Sequence, residues 1–133
     1  MRACFMGLGY IGLPTAIIAA KHGVDVIGVD INKNVVETTN KGILHIIEPG
    51  MEKLLREVVT SGKLRAYTEP QKSDAYFIVV PTPFKGDHEP DISYVEAATR
   101  MIIPLLKPND LFIIESTSPV GTTEKMMSLI YET

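Results

Sequence analysis

The sequence predicts an α/β protein in which helices cover both faces of a parallel β-sheet. Short apolar runs rich in β-branched and aromatic residues alternate with segments whose apolar residues recur at helical spacing. This alternation is typical of βαβ units, whose strands are buried on both faces and therefore read as continuous apolar runs. The predicted strands are Arg2 to Met6, Val24 to Asp30, Leu64 to Tyr67, Ala75 to Val80 and Leu111 to Glu115.

Five helices are predicted from the apolar spacing and from residues that start or stop helices. Three of them are followed by a glycine, Gly23, Gly42 or Gly62, which relieves left-handed strain at a helix end. Pro104 is expected to bend or end the fourth helix early, because proline removes a backbone donor. The predicted helices are Ile11 to His22, Asn32 or Lys33 to Lys41, Met51 to Thr60, Asp91 or Ser93 toward Leu106, and a last one from Thr122 or Thr123.

Length and composition fit one folded domain over residues 1–133. With 45% hydrophobic and 22% charged residues, the chain is not of the disordered class, and it is long enough to fold without disulfides or a structural metal. A net charge of -3 gives no footprint for nucleic acid. With one cysteine, no signal-peptide layout and no apolar run near the ~18 residues of a membrane span, we expect a cytoplasmic protein without a membrane anchor.

The motif Gly-Leu-Gly-Tyr-Ile-Gly at residues 7–12 connects the first strand to the first helix. In a motif of this kind Gly7 allows a tight turn, and Gly9 lets the backbone approach a pyrophosphate. Gly12 permits close packing of the helix on the strand. The free amides at the helix start, including those of Tyr10 and Ile11, then face the phosphates.

The surroundings of this motif indicate a Rossmann-type doubly wound sheet that binds a dinucleotide, because a strand precedes it, a helix follows it and an acid ends the next strand. That acid, Asp30, can accept hydrogen bonds from the adenosine ribose hydroxyls of NAD. A phosphate there, as in NADP, would be repelled by about 1 kcal/mol in bulk water and about 4 at an effective dielectric of 20. Two alternatives stay open: a plain tight connection, and a related fold that binds another adenosine ligand.

Three more motifs follow in order: Glu48-Pro49-Gly50, Val80-Pro81-Thr82-Pro83 and the run from Glu115 to Thr122. With the glycine motif, they make essentially the whole chain resemble the N-terminal part of the UDP-glucose/GDP-mannose dehydrogenase family. The segment from Gly86 to Asp91 is most similar to that of UDP-N-acetyl-D-mannosamine dehydrogenases. The resemblance implies NAD as the cofactor, with contacts from Tyr10, Ile11, Asp30, Thr82 and Thr117.

The resemblance also implies an enzyme for surface polysaccharide biosynthesis. It would oxidise the C6 alcohol of UDP-N-acetyl-D-mannosamine to a carboxylate with two NAD, as a homodimer joined through a central helix. Family members use a cysteine nucleophile and a lysine on later segments, so the chain is expected to be a fragment that lacks the central helix, a C-terminal domain and the catalytic residues. Thr117 is the one possible auxiliary group, and Cys4, inside the first strand, is expected to be an inert core residue.

Alternatives remain for the enzyme and for single motifs. The complete protein could be a UDP-glucose or UDP-N-acetylglucosamine 6-dehydrogenase, or a non-catalytic NAD-sensing module. Residues 80–83 could be a rigid surface turn, and the Thr117 hydroxyl could satisfy local backbone. No metal site is predicted at His88, because its acidic neighbours are too close in sequence to surround an ion. His22 is interpreted as a helix-capping cation and His45 as a packed loop residue.

Overall fold

Strands and helices alternate along the chain as the sequence predicts. The computed structural model describes residues 1–86, 89–116 and 118–132. The strands are β1 (Arg2–Met6), β2 (Asp25–Val29), β3 (Leu64–Tyr67), β4 (Ala75–Ile78), β5 (Phe84–Lys85), β6 (Glu89–Pro90) and β7 (Leu111–Ile114). The helices are α1 (Gly12–Lys21), α2 (Lys33–Asn40), α3 (Met51–Thr60), α4 (Ser93–Ile102) and α5 (Thr122–Glu132), with a 3₁₀ turn at Ile103–Leu105.

Five of the strands form one parallel sheet in the order β3-β2-β1-β4-β7. The central strand β1 pairs with β2 on one side, where Cys4 lies opposite Ile27, and with β4 on the other, where Cys4 lies opposite Tyr76. The chain therefore builds the sheet outward from β1 in one direction and then returns to build it in the other. Such a reversal leaves a crevice at the carboxyl ends of the two central strands, which is where α/β sheets bind ligands. The predicted Rossmann-type sheet is confirmed.

The core consists of two apolar layers, one on each face of the sheet. Alternate residues of β1 enter opposite layers: Ala3 and Phe5 pack with residues of α1 and α3, whereas Cys4 and Met6 pack with residues of α4 and α5. This follows from the two-residue period of a strand. Because both faces of β1 are covered by helices, the loop that follows it is anchored at its base. None of the helices in the described ranges is long and apolar enough to cross a membrane.

The predicted elements are confirmed, and the differences lie at their ends. The strand predicted from Ala75 to Val80 ends at Ile78; the N–H of Val79 still donates to the Met6 carbonyl at 2.8 Å, and Pro81 then takes the chain out of the sheet. The strands predicted to end at Asp30 and Glu115 are likewise one residue shorter there. Helix α4 ends at Ile102 and continues as the 3₁₀ turn that contains Pro104, which confirms the expected early end.

One element was not predicted. The short antiparallel pair of β5 and β6 lies outside the main sheet, in a segment that the sequence suggests is an acidic loop. Strands of two residues carry no detectable periodicity, so apolar alternation could not reveal them. Asp87 and His88, which connect the two strands in sequence, lie outside the described residues.

Candidate functional site

A cleft of about 570 Å³ opens at the carboxyl ends of the central strands. Its walls come from the loops that follow β1, β2 and β4, and from one side of α4. It therefore lies at the reversal point of the sheet, as the fold requires of a ligand site. The cleft brings together six of the predicted site residues: Gly7, Gly9, Tyr10, Ile11, Asp30 and Thr82.

Two of the three motif glycines are required by the packing of the protein itself. Gly7 has a φ of +115°, and a Cβ atom there would lie 2.6 Å from the carbonyl oxygen of Val79. A Cβ on Gly12, which is buried below the cleft, would overlap the carbonyl oxygen of Gly7 and come within 3.4 Å of the Val79 side chain. The absence of side chains at Gly7 and Gly12 thus lets the turn pack tightly against itself and against Val79, just after β4. For Gly12, this contact is additional to the helix packing that the motif predicts.

Gly9 differs from both, because nothing in the described part of the chain requires a glycine there. Its φ is outside the left-handed region, and no described residue other than its two chain neighbours has an atom within 4 Å of the position that a Cβ would take. Within the described residues, the N–H groups of Gly9, Tyr10 and Ile11 donate to no protein acceptor. Open space beside three free donors at a helix start fits an anionic group such as the pyrophosphate of a dinucleotide.

The Asp30 side chain is fixed at the end of β2 by two backbone donors. One carboxylate oxygen accepts from the N–H of Leu8 at 3.2 Å, and the other accepts from the N–H of Asn32 at 2.9 Å. The first bond ties Asp30 to the glycine turn. Each carboxylate oxygen has about two acceptor positions, so both can accept a further hydrogen bond from a ligand hydroxyl.

The cleft lining is mostly apolar and includes side chains that the sequence did not predict as site residues. Ile31 is 78% exposed and Tyr94 is 43% exposed, although both are large apolar side chains. Ala97 and Met101 continue the wall from Tyr94 at helical spacing along α4. These exposed side chains offer an apolar surface on which a flat ring system can pack. The available signal was the position of Ile31, directly after Asp30, the acid that the sequence predicts to bind the ribose.

The loops after β4 and β7 are tied together beside the cleft. The Ser116 hydroxyl donates to the carbonyl of Val80 at 2.7 Å, across the ends of the two strands. Thr82 is partly buried between the exposed Pro81 and Pro83 and lines the cleft. Thr117 lies outside the described residues, so its predicted role stays a prediction.

His45 does not follow its interpretation as a packed loop residue. The side chain is exposed, and its Nε2 lies 2.6 Å from the carbonyl oxygen of Leu8 in the glycine turn. Since a carbonyl only accepts, Nε2 must carry the proton. The backbone around His45 passes beside the glycine turn, and this contact across 37 residues is not visible in the local sequence. His22, in contrast, lies at the end of α1 with Nδ1 at 2.9 Å from the Ile18 carbonyl, as expected of a capping residue.

The remaining singled-out residues are not part of the cleft. Cys4 is fully buried in the core, which confirms its interpretation as a core residue, and burial raises the pKa of its thiol to about 12. Val35, on α2, is partly buried and packs against the core. Glu48 is exposed just before α3. In the described ranges, no group of three or more His, Cys, Asp or Glu side chains is arranged to hold a metal ion.

Comparison with curated proteins gives relatives along nearly the whole chain. A UDP-N-acetyl-D-mannosamine dehydrogenase from Campylobacter jejuni is 54% identical over 132 residues, which cover 98% of this chain and 32% of that protein. The protein of the same name from Escherichia coli is 56% identical over 127 residues, or 96% of this chain and 30% of that protein. The chain thus spans about a third of the length of the curated relatives it matches.

Solved structures of nucleotide-sugar dehydrogenases share the fold of this chain. The UDP-N-acetyl-mannosamine dehydrogenase from Staphylococcus aureus superimposes with a TM-score of 0.95 at 43% identity, covering 99% of this chain and 32% of the other. A ternary complex of GDP-mannose dehydrogenase from Pseudomonas aeruginosa gives a TM-score of 0.92 at 33% identity, with the same coverage. The model of the UDP-glucose/GDP-mannose dehydrogenase family, NAD binding domain, matches residues 1–133. The chain therefore belongs to this family, in which it corresponds to the NAD-binding domain.

Proposed function

We propose that this chain is the cofactor domain of a longer enzyme that oxidises UDP-N-acetyl-D-mannosamine to the corresponding uronate with two NAD, for surface polysaccharide biosynthesis. The observation that carries the proposal is the cleft, in which the free N–H groups around Gly9 lie beside the fixed carboxylate of Asp30. The choice of sugar is supported by relatives at 54–56% identity that are named for UDP-N-acetyl-D-mannosamine.

In this proposal each part of the cleft binds one part of NAD. The N–H groups of Gly9, Tyr10 and Ile11 bind the pyrophosphate, and Asp30 accepts from the adenosine ribose hydroxyls. Ile31 and the exposed side of α4 cover the adenine. NAD, when bound, supplies the hydride acceptor for the sugar alcohol.

The loops after β4 and β7 hold the reactive half of the cofactor in this account. Thr82 and Thr117 contact NAD, and Thr117 is also near the reacting groups. The Ser116 to Val80 hydrogen bond keeps the two loops at a fixed distance, which supports a constant position for the cofactor. The thiol and the lysine that the family uses for the chemistry would come from segments outside these residues, and a homodimer would join two such enzymes.

The complete protein is expected to oxidise UDP-N-acetyl-D-mannosamine and to form two NADH for each sugar acid. Following NADH absorbance and the sugar product in the same reaction checks both the substrate and the stoichiometry. Turnover of UDP-glucose or UDP-N-acetylglucosamine, with the N-acetylmannosamine sugar ignored, would contradict the choice of sugar and leave the enzyme class intact. Tight NAD binding without turnover of any nucleotide sugar would instead support an NAD-sensing module.

NAD is expected to bind the 133-residue chain at least about fivefold more tightly than NADP, because the Asp30 carboxylate repels a ribose phosphate by about 1–4 kcal/mol. Calorimetric titration with both cofactors measures the ratio. In an Asp30→Asn variant, which removes the charge at nearly constant size, the ratio should shrink. Equal affinities in the unmodified chain would mean that the ribose does not lie at Asp30.

A further inference from the structure

The peptide between Leu8 and Gly9 is held by a residue from a distant part of the chain. Its carbonyl, that of Leu8, accepts from Nε2 of His45 at 2.6 Å. The preceding peptide is held separately, because the N–H of Leu8 donates to Asp30 at 3.2 Å. The residues on either side of His45, Leu44 and Ile46, pack against the core layer that contains the Leu8 side chain. The backbone that carries the imidazole is therefore anchored on both sides.

This contact fixes the direction of a donor in the cleft. A trans peptide is planar, and its C=O and N–H point in opposite directions. Because the Leu8 carbonyl points at His45, the N–H of Gly9 points away from His45. Gly9 lines the cleft, whereas His45 does not. A rotation of this peptide plane would break the bond to His45 and redirect the Gly9 donor at the same time.

Gly9 needs such an external restraint more than other residues do. Glycine has the widest choice of backbone conformations. Apart from Gly9 and its two chain neighbours, no atom of the described residues lies within 4 Å of the place where a side chain would begin. Side-chain packing at Gly9 therefore does not fix the orientation of this peptide. The buried Leu8 side chain and the hydrogen bond from the N–H of Leu13 to the Gly9 carbonyl, at 3.0 Å, restrain the residues on either side of it. The imidazole holds the carbonyl oxygen of the peptide itself, which must turn if the peptide rotates.

We infer that His45 is a positioning residue of the cofactor site, which holds the Gly9 N–H toward the pyrophosphate without touching the cofactor. The inference rests on the proposed binding of NAD in this cleft. Without His45 the Leu8 carbonyl bonds to water, and the peptide gains a second orientation in which the Gly9 donor is lost to the ligand. The binding affinity therefore falls for ligands that carry a pyrophosphate, whereas the affinity for the nucleoside part is unchanged.

The test compares His45→Ala with the unmodified chain in binding to NAD, ADP and adenosine, by calorimetry for NAD and by NMR titration for the weaker ligands. The loss of one aligned donor to a charged group should weaken NAD and ADP about tenfold. Adenosine, which has no phosphate, should bind unchanged. His45→Gln should restore most of the affinity, since its amide nitrogen can donate to the same carbonyl.

His22→Ala is the matched control, because it also removes an imidazole that lies beside a backbone carbonyl, but far along α1 from the turn. It should leave all three affinities unchanged. Unchanged NAD binding in His45→Ala, an equal loss for adenosine, a folded His45→Gln variant that restores nothing, or a His45→Ala variant that does not fold would each overturn the inference. If the unmodified chain bound no NAD, the proposed function itself would fail.

Discussion

Replacing Gly9 by valine is expected to weaken NAD binding about a hundredfold or more while the fold stays intact. The side chain would occupy the open space beside the free N–H groups, so at least two charge-assisted hydrogen bonds to the pyrophosphate would be lost. At about 1.5–3 kcal/mol each, this amounts to about 3 kcal/mol or more. The fold should persist because, in the described part of the chain, no residue other than the immediate neighbours of Gly9 comes within 4 Å of the new Cβ, and because the φ of Gly9 is outside the left-handed region. Calorimetry with NAD and urea unfolding measure the two effects separately.

Gly12→Ala is the informative contrast within the same motif. Its Cβ would overlap the Gly7 carbonyl oxygen, which is backbone and cannot swing aside. This variant should lose about 1–3 kcal/mol of unfolding free energy, or more, through overpacking. A Gly9→Val chain as unstable as Gly12→Ala would contradict the expectation that the fold tolerates a side chain at Gly9. A folded Gly9→Val chain that binds NAD normally would show that Gly9 does not contact the ligand.

The 133-residue chain alone is expected to show no measurable dehydrogenase activity on any nucleotide sugar. Covalent catalysis needs an accessible thiolate, and Cys4 is fully buried with a pKa of about 12. At pH 8 only about one such thiol in ten thousand is ionised. Without the segments that would orient the sugar, the activation barrier is higher by about 7 kcal/mol or more, which lowers the rate by about five powers of ten. NADH absorbance with purified chain, NAD and UDP-N-acetyl-D-mannosamine measures the rate.

The control for this expectation is Cys4→Ala, which removes the only thiol and leaves the cleft unchanged. Any trace activity should be the same in both chains. Turnover that disappears with the thiol would mean that Cys4 reaches the substrate and that its burial in β1 is not maintained during the reaction.

Local signals were enough to predict the half of the site that follows β1 and β2. The turn at residues 7–12 and Asp30 are read from short-range features: glycines at fixed spacing, a strand before them and an acid at the end of the next strand. Parallel pairing of the two strands then brings Asp30 beside the turn, so that it accepts from Leu8. The long-range contact between Asp30 and the turn follows from the fold class, so it did not have to be read from the sequence separately.

The rest of the site depends on contacts that a pattern of apolar residues does not specify. Tyr94, Ala97 and Met101 follow a helical period that looks like a core face, yet the deeply buried face of α4 is rotated by about one residue, to Val95, Ala98, Thr99 and Ile102. The spacing identifies a helix but does not say which side meets the sheet. His45 was missed for a related reason, since its bond to Leu8 joins two loops.

Binding of NAD in this cleft can be tested residue by residue in an amide-resolved NMR titration of the 133-residue chain with NAD. The largest shifts are expected at Gly9, Tyr10 and Ile11, followed by Ile31 and the segment around Thr82, since these line one cleft. Largest shifts at the opposite end of the sheet, around Arg2 and Lys107, or no saturable shifts in the glycine turn, would contradict the assignment of this cleft to NAD.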